Sequence, residues 1–513
     1  MDESKFRAAM ASGYTFEGAS LLLGAPLLEG AVTGDARVRV PLAMMNRHGL
    51  IAGATGTGKT KTLQLLAGQL SDAGVPVFLA DLKGDLSGLA APGVSNAKIE
   101  ERSKAIGVPF QPASYPVEFL SLTGDNGVQL RATVSSFGPL LLARALGLND
   151  TQQSVLALVF KYCDDKGLLL LDLSDLKAVL QHLTGDGAAE LAEYGGMSKA
   201  TVGVLFRKMV ELEQQGAGKF FGEPEFEVAD LLRTDPSGKG IASTLELSGI
   251  QDRPALFSTF LMWLLASLYR ELPEVGDLDK PKLVFFFDEA HLLFDGASKA
   301  FLDQVEQVVR LVRSKGVGVF FVTQTPKDVP AEVLAQLGHR VQHALRAFTP
   351  DDEKALRATA NTFPRSEFYD IPKALTSLGI GEALVTVLTP RGVPTPVAAT
   401  LLAPPASLMA PIPPAELAAR VARSPLQAAY GAAVDRESAR ETLEARATPA
   451  AASTAPAARV ARGTAPAEPT MAEQVGKALN SPLARTVAGT LVRGLFGVLG
   501  VPATARRRRR RLY

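Results

Sequence analysis

Cysteine is nearly absent, with Cys163 the single one in 513 residues. This excludes a disulfide framework and suits a reducing compartment. Histidine is scarce too. His48, His182, His291, His339 and His343 are scattered without zinc-ligand spacing. Neither sign of charge is in excess, because 54 Lys and Arg against 53 Asp and Glu leave a net +1. There is therefore no global field for a polyanion, and a nucleic-acid surface would have to be a local patch. No uninterrupted apolar run reaches membrane-spanning length. The opening MDESKFRAAM is charged with no apolar stretch behind it, so a signal peptide is not expected. These gaps together lead to the expectation of a cytoplasmic chain.

What is present is organised around one stretch. Gly49 to Ala52 reads as a short apolar strand, followed by Gly53-Ala54-Thr55-Gly56-Thr57-Gly58-Lys59-Thr60-Lys61. Gly53, Gly58, Lys59 and Thr60 fit the phosphate-loop pattern G-x-x-x-x-G-K-[ST]. Glycines let the backbone curl so that several N–H groups face one anion, and the helix starting at Lys59 adds its positive dipole end. Lys59 is expected to reach the β- and γ-phosphates, and Thr60 to place a hydroxyl on Mg²⁺. The following Thr62–Leu70 segment has helical periodicity, the context the motif requires.

The chain divides by composition. Residues 1–47 form a short lead with strand-like alternation over Ala36–Leu42. Residues 48–92 hold the loop and a second buried strand ending in Asp81-Leu82-Lys83-Gly84-Asp85. Asp81, Lys83 and Asp85 are either site residues at the ligand edge of a sheet or a solvated turn. Residues 93–235 read as a mainly helical insertion, with Asp172 or Ser174 capping one helix. Residues 236–402 return to strand–helix alternation and contain the only tryptophan, Trp263, among apolar neighbours that favour the core. Apolar strands separated by helices predict an α/β fold around a parallel sheet buried on both faces. Residues 403–480 look like a Pro/Ala-rich linker, with room for a short helix between Pro425 and Ala447. Residues 481–513 form an apolar tail ending in Arg506–Arg511, a pattern that can bind anionic lipid.

Phe285-Phe286-Phe287-Asp288-Glu289 supplies the second chemical element, an apolar strand ending in two carboxylates. Asp288 suits the Mg²⁺ shell beside Thr60, and Glu289 suits polarising the attacking water. Gln324 ends the next apolar strand and could sense the γ-phosphate or the water. Charge on a transferring phosphoryl group also calls for arginine, with Arg313 and Arg340 the first candidates and Arg310 and Arg346 weaker ones.

This combination resembles the HerA/FtsK superfamily of hexameric motor ATPases. The residues that carry the likeness are Arg47-His48-Gly49, the loop 53–60, Asp288-Glu289-Ala290-His291, Arg313-Ser314-Lys315-Gly316-Val317-Gly318 and Thr323-Gln324-Thr325-Pro326. The chain looks most like the HerA-like bacterial ATPases of unassigned role. The resemblance implies a RecA-like core, ATP and Mg²⁺ as ligands, Arg313 as a finger supplied to a neighbouring subunit, Gln324 as the strand-end glutamine, and a homo-hexamer acting on DNA. Arg340 corresponds less closely to an arginine on the following strand. HerA proper carries an N-terminal β-barrel before the loop. The lead 1–47 is too short for one, so the barrel's partner contacts do not carry over. An ATPase that remodels or gates a protein partner, perhaps at a membrane surface through the tail, is the alternative reading.

Overall fold

The structure, a computed structural model, describes residues 2–447 apart from 296 and 298. The tail 481–513 and the linker beyond 447 lie outside the described residues. Thirteen strands form one sheet. They are β1 (Ser20–Leu28), β2 (Ala31–Val32), β3 (Val38–Pro41), β4 (Gly49–Ala52), β5 (Val77–Asp81), β6 (Val117–Ser121), β7 (Val128–Gln129), β8 (Ala242–Glu246), β9 (Leu283–Phe287), β10 (Val317–Thr323), β11 (His339–His343), β12 (Glu382–Thr386) and β13 (Ala398–Leu402).

The order across the sheet is β2-β1-β13-β12-β11-β4-β10-β9-β5-β8-β6-β7, with β3 also paired to β1. From β11 to β7 every pairing is parallel. On the other flank β11, β12, β13, β1 and β2 pair antiparallel. This is the α/β fold with a parallel sheet expected from the alternation of apolar strands and helices, and it agrees with the RecA-like core that the resemblance implies. The strand period of two sends alternate residues into two cores. Phe285 and Phe287 join one cluster with Phe78 and Phe260, while Val284 and Phe286 join the other with Ile51, Leu63 and Leu66. The helix Lys59–Asp72 covers the second face. The first is covered by Pro254–Glu271 and Lys299–Val312, and by helices between 134 and 212. Trp263 belongs to this core at 1% exposure, its indole N–H directed at Ser136 Oγ at 3.2 Å.

The segments carry more structure than their composition suggests. The lead 1–47 adds β1, β2 and β3 to the sheet's antiparallel flank. Helix Glu3–Tyr14 buries Phe6, Met10 and Tyr14, and the Tyr14 hydroxyl meets the carbonyls of Val385 and Pro396. The segment 93–235 is not only helical, since it lends β6 and β7 to the far edge. Asp172 is the residue that caps helix Leu173–Thr184, accepting the N–H groups of Ser174 and Asp175.

Residues 403–447, expected as the start of a linker, are packed on the core. Their prolines start helices as well as interrupt the chain. Pro414 and Pro425 each occupy the first turn of a helix, where the missing N–H costs nothing. Leu426, Tyr430 and Leu443 then anchor the segment by burial.

Phe286 is fully buried in the sheet, its ring 5.2 Å from that of Phe320. Phe286→Ala is expected to lower stability by about 3–5 kcal/mol, read as a fall in the denaturant midpoint.

Candidate nucleotide site

The loop leaves β4 at the carboxyl edge of the sheet and takes a shape few residues tolerate. Gly53, Gly56 and Gly58 have φ of 153°, 77° and 114°. A Cβ on Gly53 would lie 2.5 Å from His343 Cβ, so backbone strain and space both exclude a side chain there. Gly58 precedes helix Lys59–Asp72 without a side-chain cap, so the first-turn N–H groups remain available to an anion. Lys59 is 7% exposed, and its ammonium donates to the loop's own carbonyls, Gly53 O at 2.8 Å and Ala54 O at 3.2 Å. Burial lowers its pKa, with Glu289 opposing. Thr57 is buried and turns its hydroxyl back to Ala54 O, whereas Thr55 and Gly56 are exposed at the tip and Thr60 is half-buried. Lys61 reaches across to the carbonyl of Met409.

Between β4 and β9 lies only β10, so the end of β9 opens on the same edge as the loop. Asp288 Oδ1 accepts the N–H of Glu289 at 3.0 Å, while its Oδ2 is buried without a protein partner. Burial first, and the charge of Glu289 second, push the Asp288 carboxyl up to about 7. An unpartnered buried carboxylate oxygen is a place for a cation. Glu289 adopts a left-handed backbone, φ 48°, rare for a residue with a side chain. Its Oε1 is paired with the Lys83 ammonium. Its Oε2 lies 3.2 Å from His291 Nδ1 without hydrogen-bond alignment.

The turn after β5 divides its polar residues between two tasks. The Asp81 carboxylate accepts the backbone N–H groups of Lys83, Gly84, Asp85 and Leu86, so it shapes the turn. Lys83 is the residue this turn sends toward Glu289. Glu246, not singled out in the sequence, ends β8 in register with Asp81. It is 7% exposed, and burial together with Asp81 and Asp85 pushes its carboxyl up to about 8. The signal was available, since an apolar parallel strand ending in a carboxylate also marked Asp81 and Asp288.

Gln324 follows β10 and lines an open cleft with Ala54, Thr55, Leu345 and Arg346. It therefore joins the loop, and so does the weaker candidate Arg346. Arg313 does not. It sits in the turn before Val317, at the amino end of β10, with Thr323 and the loop at the other end. Seven residues of strand separate the two by roughly 20 Å. Arg340 is half-buried and pairs level with Leu50, about 10 Å of strand before the loop. Arg310 is ion-paired to Glu306 one helical turn away.

The family model described as Helicase HerA-like C-terminal matches residues 27–507. The chain belongs to this HerA-like family. Its members and relatives are P-loop ATPases of the HerA/FtsK superfamily, and the geometry above is that of a P-loop ATPase. The DNA double-strand break repair helicase HerA of Sulfolobus acidocaldarius is 21% identical over 374 residues, which cover 69% of this chain and 65% of that protein. The protein of the same description from Sulfurisphaera tokodaii is 23% identical over 373 residues, again 69% and 65%. The HerA-like chain thus spans less than two thirds of the length of these curated relatives. Among solved structures, the unbound bacterial conjugative coupling protein TrwBdeltaN70 superposes with a TM-score of 0.51 at 15% identity, over 81% of this chain and 94% of that one. That likeness is one of fold.

The raised carboxyl of Glu246 has a stability consequence. Its folded pKa of about 8 exceeds the ordinary 4.5, so its contribution is fully present below about pH 4.5 and is lost as pH rises through 8. Glu246→Gln should unfold near the wild-type midpoint at pH 5 and above it at pH 9. An equal difference at both pH values would show that the charge is no burden.

Proposed function

We propose that this chain is the ATP-hydrolysing unit of an oligomeric motor, most simply a hexameric ring, that acts on DNA. The observation that carries the reading is the shared carboxyl edge. It brings a phosphate loop with an uncapped helix start, a carboxylate with a free buried oxygen and a second carboxylate together on strands separated by one other. Membership of the HerA-like family and the two curated HerA relatives support the motor and its DNA substrate.

The residues fit Mg²⁺ and ATP. Thr60 and Asp288 would hold the ion, which needs few protein ligands because substrate phosphates and water complete its shell. The bound ion neutralises phosphoryl charge. The phosphates would lie against the loop Gly53–Lys61, met by N–H groups beyond Ala54, because those of Gly53 and Ala54 are taken by Thr323, Gln324 and Ala344. Lys59 exchanges its two loop carbonyls for phosphoryl oxygens. Glu289 orients water and accepts its proton, and Gln324 monitors the same place from the next strand. Arg313 cannot serve the nucleotide of its own chain from the opposite edge of the sheet, so the reading assigns it to a neighbour's nucleotide. Arg340, set mid-strand, is left without a part in hydrolysis.

Glu289→Gln is expected to retain ATP binding and lose turnover by about 100-fold or more, measured as phosphate release on protein of determined mass. Double-stranded DNA at low salt is expected to raise wild-type turnover. A weighed hexamer whose rate ignores both duplex and single strands would overturn the DNA part of the reading.

Lys59→Ala and Arg313→Ala are each expected to be inactive alone and to regain partial activity when mixed. In a mixed ring an intact loop meets an intact arginine across some boundaries. Absence of recovery in mixtures shown to co-assemble would remove Arg313 from the site.

A further inference from the structure

A second ammonium stands at the reacting edge, and the phosphate loop does not account for it. Lys83 contacts Glu289 Oε1 across 206 positions of sequence. The two partners are unequally placed. The Lys83 side chain is 46% exposed and that of Glu289 is 6% exposed, so a solvent-accessible arm rests on a fixed buried carboxylate. The turn beneath the arm is itself held. Asp81 grips four of its backbone N–H groups, and Gln251 donates to Leu82 O. Movement at this point therefore belongs to the lysine side chain rather than to the loop.

Glu289 cannot take a proton from water through an oxygen covered by an ammonium, and its other oxygen faces His291. The covered oxygen becomes available only when something more anionic draws Lys83 away. Lys83 touches Glu289 at the end of β9, and only β10 separates β9 from β4, the strand that carries the loop and Lys59. The group that arrives at this edge in a loaded site is the terminal phosphate, which carries more charge than one carboxylate.

We propose that Lys83 is a ligand of the γ-phosphate that alternates between Glu289 and that phosphate, so that Glu289 is uncovered only when a nucleoside triphosphate is bound. The proposal rests on Glu289 being the carboxylate that orients water. A nucleoside diphosphate offers no terminal group at the same place, and with it Lys83 stays on Glu289. The site thereby distinguishes its substrate from its product by the position of one side chain.

The test is binding of ADP and of the non-hydrolysable triphosphate AMP-PNP, each with Mg²⁺, to the full-length protein and its Lys83→Met and Lys83→Arg variants. Lys83→Met is expected to weaken AMP-PNP by about 10-fold and to leave ADP within about twofold, while Lys83→Arg recovers most of the difference. Saturating ATP should show a lowered kcat in Lys83→Met. Equal loss for both nucleotides, no loss for either, or a kcat above wild type would overturn the proposal. Binding is read without turnover, so a failure here is separate from a failure of Glu289→Gln to stop hydrolysis.

Discussion

The phosphate loop keeps its shape because neighbouring strand ends hold its backbone. The Gly53 N–H is shared between the carbonyls of Thr323 and Gln324 at the end of β10, each at 3.2 Å. The Ala54 N–H goes to Ala344 just past β11, and the Thr57 carbonyl accepts the N–H of Gly381 ahead of β12. A strained glycine loop with its backbone pairs satisfied from three sides loses little further freedom when an anion arrives. The same bonds set the rest of the site. The strand that steadies Gly53 delivers Gln324, and the segment that steadies Ala54 delivers Arg346.

Electrostatics at this edge are poised rather than balanced. Asp81, Glu246 and Asp288 are buried, and desolvation holds the carboxyl of each above its ordinary value. The lysines meet the same cost by turning inward, Lys59 and Lys61 to backbone carbonyls and Lys83 to a carboxylate. Under the proposed function, the acceptors of Lys59 and Lys83 are the ones a triphosphate would replace. The His48 and His339 rings behind β4 take no part in this economy of charge. Burial lowers both to about 4, and they serve as neutral hydrogen-bonding spacers, His48 accepting the Val319 N–H and His339 meeting Met44 O.

Local pattern made much of this legible. The loop, the strand ending in Asp288 and Glu289 and the strand ending at Gln324 each announce themselves within a dozen residues, and the helix cap is narrowed to Asp172 or Ser174. Lys83 was visible only as a polar residue after a strand, because its partner lies in another strand–turn unit and parallel pairing is non-local. Glu246 closes a readable strand, but its burial is non-local in the same way, since it comes from β5 and β6 on either side. The packing of 403–447 on the core is illegible in sequence for a different reason. Proline marks both chain breaks and helix starts, and only packing partners distinguish them.

The sheet also acts as a spacer of fixed thickness. β10 carries Gln324 at one end and Arg313 beyond the other, and its seven residues admit no bend that would bring them together. One chain therefore presents a nucleotide-facing edge and, a strand's length away, the arginine edge. Under the proposed role of Arg313, copies laid edge to edge in a single sense would join the two edges, whereas a two-fold pair of like edges would not. If the two edges do meet, the strand's length sets a polarity on the assembly, and a ring built this way has a front and a back before it touches any substrate.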